Sequence, residues 1–214
     1  MSPETILLAI EVAATVAFAL SGILEATRRR MDIVGVFSVA FASAFGGGTL
    51  RDLLLDRRPL FWVQNPEYIW LVLAMALAAP LILRAMRHQR VDRVMEGADA
   101  LGLGLFAISG ASLSMVAGMP AVVSVLMGAI TAVCGGVLRD VLCNEIPKVF
   151  HDHVPYTLCA FIGGAVFLAL HVQGIAPTVS TGAGIAVTSG LRLLAVARGW
   201  RIPAWPGERD GRGQ

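Results

Sequence analysis

Charge is scarce in this 214-residue chain, and its two signs nearly cancel: 17 Lys and Arg stand against 15 Asp and Glu, for a net +2. That balance is too even to suggest a nucleic-acid partner, and none is expected. Cysteine is sparse too. Cys134, Cys143 and Cys159 lie in or beside apolar runs, without CxxC spacing or clustered histidines. They read as packing residues, with no disulfide framework and no metal site implied. His151 and His153 form a lone HxH pair in a polar connection, weak evidence for a metal. The first apolar run has no basic segment ahead of Ile6 and is preceded by Glu4, which predicts a retained span and not a cleaved signal peptide. The polarity of a soluble domain is missing as well. Hydrophobic residues make up 56% of the chain and mean hydropathy is +0.72, values of one polytopic membrane domain with no room for a second.

Seven apolar runs are present, at about 5–24, 33–50, 69–83, 97–119, 121–138, 156–172 and 175–197, followed by a polar tail over 198–214. The runs 33–50 and 121–138 are each 18 residues without a charge, about one bilayer crossing. The third run is the shortest and must borrow length from its flanks. The predicted fold is therefore an all-α membrane protein of seven transmembrane helices. The loops after the first, third and fifth spans, with the tail, carry twelve Lys and Arg, whereas the opposite side has only Arg57 and Arg58. The positive-inside rule then predicts an N-terminus outside and a cytoplasmic C-terminus, in a cell (inner) membrane.

An internal repeat underlies this pattern. At a constant offset of 88 residues, Phe18-Ala19-Leu20-Ser21-Gly22 matches Phe106-Ala107-Ile108-Ser109-Gly110. Gly47-Gly48-Thr49-Leu50-Arg51-Asp52 matches Gly135-Gly136-Val137-Leu138-Arg139-Asp140. Pro59 matches Pro147 and Tyr68 matches Tyr156. Repeat one covers about 5–86 and repeat two about 93–174, each with three spans, and a seventh helix at about 175–197 stands outside. With an odd number of spans per copy, the second enters the membrane from the opposite side, so the repeats are expected to be inverted.

Glycines at membrane depth invite a helix to loosen, and freed carbonyls there must face protein or a wet cavity. Gly46, Gly47, Gly48, Gly135 and Gly136 are therefore expected to break the second and fifth spans and border an ion or substrate path, with a role in transport more than in folding. Ser43 and its mate Thr131 lie one turn earlier, where a hydroxyl either bonds back to the preceding turn or lines the path. The intramembrane charges are Glu11, Asp52, Asp99, Asp140, Arg51, Arg139 and Arg192. Burying such a charge costs about 2.5–3.5 kcal/mol on insertion scales, which makes each a functional candidate needing a partner. Each Arg-Asp pair reads as a neutral clamp at a helix end or as a pore element. Neighbouring helical residues point about 100° apart, so one member of each pair can be structural. Glu11 and Asp99 could instead be interfacial carboxylates in the first turn of a span, favoured by the helix dipole.

With its span count, inverted three-span repeats and paired glycine-Arg-Asp motifs, the sequence resembles the prokaryotic members of the trimeric intracellular cation channel family over roughly residues 5–197. The resemblance implies a non-enzymatic homotrimer in membrane lipid, without cofactor. It implies a pore in each subunit, lined by the second and fifth spans, and K⁺ as the permeant ion. The same bacterial sequences are also grouped under a glycine-transporter name, so a transporter of small amino acids is the alternative. The Lys-Glu-Val triplet that animal members carry in the fourth span is absent, and lipid or calcium regulation is not carried over.

Overall fold

A computed structural model describes residues 3–85, 88–151 and 153–203; the expected tail therefore lies, beyond 203, outside the described residues. The described residues form ten α-helices and no strand: α1 Pro3–Arg28, α2 Ile33–Leu54, α3 Phe61–Gln64, α4 Glu67–Leu77, α5 Ala79–Ala85, α6 His88–Val116, α7 Ala121–Leu142, α8 Lys148–His151, α9 Thr157–Val172 and α10 Pro177–Arg198. Five of them, α1, α2, α6, α7 and α10, contain stretches long and apolar enough to cross a membrane. The sixth span is the shorter apolar helix α9, and the third is divided. Pro80 divides it. Proline has no N–H to give the carbonyl four residues back, so α4 closes at Ala78 and α5 restarts at Ala79.

Local signals account for most helix ends. Asp32 caps α2, its carboxylate accepting from the Gly35 N–H at 2.8 Å. Pro177 opens α10, and Gly199 closes it in the left-handed conformation (φ 61°). Large apolar side chains on the outer faces, such as Trp70, Leu81 and Val122, are exposed, as lipid-facing residues are in an isolated chain.

Of four apolar clusters among the described residues, two are large. One joins α1, α2, α3 and α4 around Ala19, Ile23, Val39, Phe45 and Val72. The other joins α1, α6, α7 and α9 around Phe18, Leu103, Phe106 and Ala160. Helix neighbours follow the 88-residue offset. α1 packs on α2 and α4, as α6 packs on α7 and α9, and the two groups meet through α1 against α6 and α2 against α7. Phe18 and Phe106, mates at that offset, stack on each other with centroids 5.5 Å apart.

The first, third and fifth interhelical loops gather at one end. Arg28 bridges to Asp92 at 3.0 Å, Arg29 pairs with Glu145, and the Ile202 N–H donates to the His153 carbonyl. The basic loops grouped by the charge count thus share one face.

Candidate functional site

The interruption expected at the glycines does not occur. α2 and α7 run as helices straight through Gly46, Gly47, Gly48, Gly135 and Gly136. The missing Cβ atoms serve close approach instead. A Cβ on Gly47 would lie 2.0 Å from the Thr131 carbonyl oxygen, and one on Gly135 would lie 2.4 Å from the Ser43 carbonyl oxygen. Each glycine thus seats the backbone of the opposite helix, and the two contacts are mates at the 88-residue offset. Gly22 and Gly110 do the same for α1 on α2 and α6 on α7: their Cβ atoms would meet Ala40 Cα at 3.0 Å and Gly128 Cα at 2.9 Å.

Thr131 donates its hydroxyl back to the Met127 carbonyl at 2.6 Å, the helical back-bond. Ser43 makes no such bond among the described residues, although its side chain is fully buried at the crossing. With Phe18 and Phe106 stacked alongside, the crossing is closely packed.

One buried arginine sits on either side of this crossing. Arg51 is fully buried; its Nη1 lies 2.9 Å from Glu11 Oε1 and donates to Ser109 Oγ at 2.9 Å, while Nε donates to Asp52 Oδ1 at 2.9 Å. The Phe61 ring lies 5.3 Å from its guanidinium carbon. Arg139, 1% exposed, repeats the pattern: Nη1 donates to Asp99 Oδ1 at 2.6 Å and to Ser21 Oγ at 2.5 Å, and Nε donates to Asp140 Oδ1 at 2.9 Å. The second oxygen of each aspartate accepts a backbone N–H from a four-residue helix, Phe61 of α3 at 2.8 Å and Lys148 of α8 at 3.0 Å.

The two clusters interlock. Arg51 takes its carboxylate from α1 and its serine from α6, whereas Arg139 takes its carboxylate from α6 and its serine from α1. Glu11 and Ser21 are ten residues apart on α1, as Asp99 and Ser109 are on α6, so the clusters lie about 15 Å apart along the helices at 1.5 Å per residue. Each arginine faces two carboxylates, one negative charge more than its own guanidinium balances. At the first, Arg57, about a third exposed, offsets it from 3.3 Å.

Glu11 and Asp99 are not first-turn interfacial carboxylates. Their helices begin at Pro3 and His88, more than two turns earlier, and both side chains are buried against arginines. Both members of each Arg-Asp pair serve one cluster: the guanidinium folds back on the adjacent carboxylate, which their 100° separation does not prevent. Arg192 joins neither cluster by an ion pair among the described residues. It lies over the Tyr156 ring at 4.7 Å, donates to the Pro155 carbonyl at 3.3 Å, and lines with Asp99, Arg139, Lys148 and Glu96 a cleft of about 120 Å³.

Ser21 and Ser109, and the N–H groups of Phe61 and Lys148, were not predicted as site residues. The serines were visible only as matched members of the repeat.

The family model described as Glycine transporter matches residues 8–84 and 97–172. The chain is 34% identical over 205 residues to the UPF0126 inner membrane protein YadS of Escherichia coli K12, covering 95% of this chain and 98% of that one. Its fold is similar to that of the TRIC trimeric intracellular cation channel orthologue from Rhodobacter sphaeroides, with a TM-score of 0.85 and 33% identity over 92% of this chain and 100% of that one. A further similar structure, described under the structural basis for conductance through TRIC cation channels, gives a TM-score of 0.80 and 34% identity over 92% and 96%.

Proposed function

This chain belongs to the glycine-transporter-described family that includes the trimeric intracellular cation channels, and from that membership and its buried clusters we infer that it is a channel for monovalent cations, chiefly K⁺. The path runs through each subunit along α2 and α7, past one arginine cluster on either side of the glycine crossing. The observation that carries this reading is the mirrored pair of clusters, each with two carboxylates to one arginine. Counting buried groups alone, the clusters hold four carboxylates to two arginines, which favours a cation over an anion inside the protein. Because the carboxylates are already engaged, they bind a passing ion weakly enough to release it. The serine exchange between clusters supports two inverted repeats related by an axis in the membrane plane, with α10 outside them. A homotrimer follows the trimeric relatives.

A glycine carrier would need free donors for a carboxylate and free acceptors for an ammonium at one occluded site. Here the guanidinium groups of both clusters are turned onto carboxylates and serines of their own chain, and that of Arg192 lies over Tyr156 and donates to the Pro155 carbonyl. Purified protein in liposomes is therefore expected to collapse an imposed K⁺ gradient electrogenically, with discrete current steps in a planar bilayer and no need for glycine. Saturable uptake of labelled glycine without cation current above protein-free vesicles would replace the channel with the transporter.

The gathering of the basic loops on one face supports an N-out, C-in orientation. Single cysteines introduced near Arg209 should react with impermeant maleimide only after the cells are opened. Labelling in intact cells would reverse the topology.

A further inference from the structure

The 88-residue offset relates the two arginine clusters residue by residue, but not the charges around them. Arg57, which offsets the first cluster, has Glu145 as its mate, and Glu145 is turned to Arg29. The second cluster therefore lacks the cation that the first one has. Two others stand in its place. Lys148 lines the cleft beside Asp99 and Arg139, at a position where the first repeat has Leu60, and Arg192 lines it from α10, a helix outside the repeats. Neither makes an ion pair among the described residues. The Arg192 guanidinium, 7% exposed, makes one bond to the Pro155 carbonyl and lies over Tyr156, while Lys148 gives its backbone N–H to Asp140 and leaves its ammonium to the cleft.

An arginine buried in a span without a carboxylate is costly, and an apolar residue at that point of α10 would avoid the cost. What Arg192 and Lys148 achieve together is a balance of charge. At the first cluster Arg51 and Arg57 face Glu11 and Asp52. At the second, Arg139, Lys148 and Arg192 stand against Asp99, Asp140 and the exposed Glu96. Both ends are thus neutral, through different residues on different elements. Neutrality matters because paired carboxylates offer hard oxygen ligands of the kind that Mg²⁺ and Ca²⁺ take. With Arg139 alone between them, Asp99 and Asp140 would draw a divalent cation twice as strongly as K⁺ and hold it in the path.

We propose that Lys148 and Arg192 set the valence of the permeant ion at this end of the path, their charges keeping divalent cations from settling at Asp99 and Asp140 while K⁺ passes. The seventh helix, which the inverted repeats do not require, thereby supplies a cation that the second repeat lacks. This deepens the channel reading above and rests on it.

Single-channel recording in K⁺ with Mg²⁺ titrated on both sides tests it, on wild type, Arg192→Gln, Lys148→Gln, the double variant and Arg192→Lys. Removing one positive charge from the cleft should raise unitary K⁺ current about threefold and lower the Mg²⁺ concentration for half-block about tenfold, because a potential that acts once on K⁺ acts twice on Mg²⁺ and squares the factor. Arg192→Lys should keep both at wild-type values. A double variant blocked by Mg²⁺ only at the wild-type concentration would overturn the proposal. So would equal fold-changes for the two ions, which mark a change of shape and not of charge, or an Arg192→Lys protein that behaves as Arg192→Gln, which would place the role in the contact with Tyr156. Lys148→Gln, at a half-buried position, keeps the test decisive where Arg192→Gln yields too little folded protein. Thermal melting in detergent gives a readout that needs no current: Mg²⁺ should raise the melting temperature of the double variant and leave wild type unchanged, and the absence of any difference between them would also overturn the proposal. A wild type that passes no current fails the channel reading, while the melting comparison still decides whether Lys148 and Arg192 keep divalent cations off the carboxylates.

Discussion

Gly47→Ala should cost the protein most of its folded population, because the added methyl has nowhere to go. Its carbon would sit 2.0 Å from the Thr131 carbonyl oxygen, a backbone atom held in the middle of α7 that cannot swing aside as a side chain can. The helices would have to separate by more than about 1 Å, and interiors packed at crystal density do not absorb that locally. Overpacking of this kind costs about 3 kcal/mol or more. Gly135→Ala, which strikes the Ser43 carbonyl, should behave the same way. Gly46 supplies the internal comparison: its Cβ would meet Leu138 Cδ1, the end of a flexible side chain, so Gly46→Ala should be clearly milder. At Gly182 nothing lies within 4 Å, and alanine there should leave the protein unchanged. Thermal melting and size exclusion in detergent measure all four. A Gly47→Ala protein as stable and monodisperse as wild type would show that α2 and α7 do not cross at this point.

Gly47 also marks where sequence reasoning stops. Three glycines at membrane depth fit a broken helix or a tight crossing equally well, since both need a missing Cβ, and only the position of the second helix separates them. The repeat was legible because it is a matter of matching letters, from Ser21 and Ser109 to Pro59 and Pro147. It located both Arg-Asp motifs and related Glu11 to Asp99. It did not reveal that Glu11 faces Arg51 or that Ser109 crosses to the other half, because partners 40 to 118 residues apart leave no local periodicity. The same limit hid α3 and α8. Four-residue helices carry no hydrophobic repeat of their own, yet their N–H groups fix Asp52 and Asp140. The division of span three has a different cause: Pro80 stands inside an apolar run, and hydropathy alone does not register it.

Removing either buried arginine should be about as damaging as Gly47→Ala, by a separate route that links folding to conduction. In Arg139→Ala, Asp99 and Asp140 are left facing each other without the guanidinium, buried at 6% and 3% exposure. Breaking a buried ion pair by deleting one partner costs about 3–5 kcal/mol, since the remaining charge has lost both water and counter-ion. The cost is aggravated here because Ser21 loses its donor and α1 its tie to α7. Arg139→Lys keeps the charge but not the fork. One ammonium cannot occupy the Nε and Nη1 positions at once, so it should hold either Asp140 or the Asp99–Ser21 pair and recover only part of the loss. Asp99→Asn leaves Arg139 balanced by Asp140 alone and should be the mildest of the three for folding. It also removes the carboxylate beyond the one that Arg139 itself balances, so cation flux should fall by more than stability does. Melting temperature and K⁺ flux, measured on the same preparations, separate the two effects. If Asp99→Asn lowers both in proportion, the cluster is a structural clamp alone; if it spares the fold and cuts the flux, the clamp also forms part of the path.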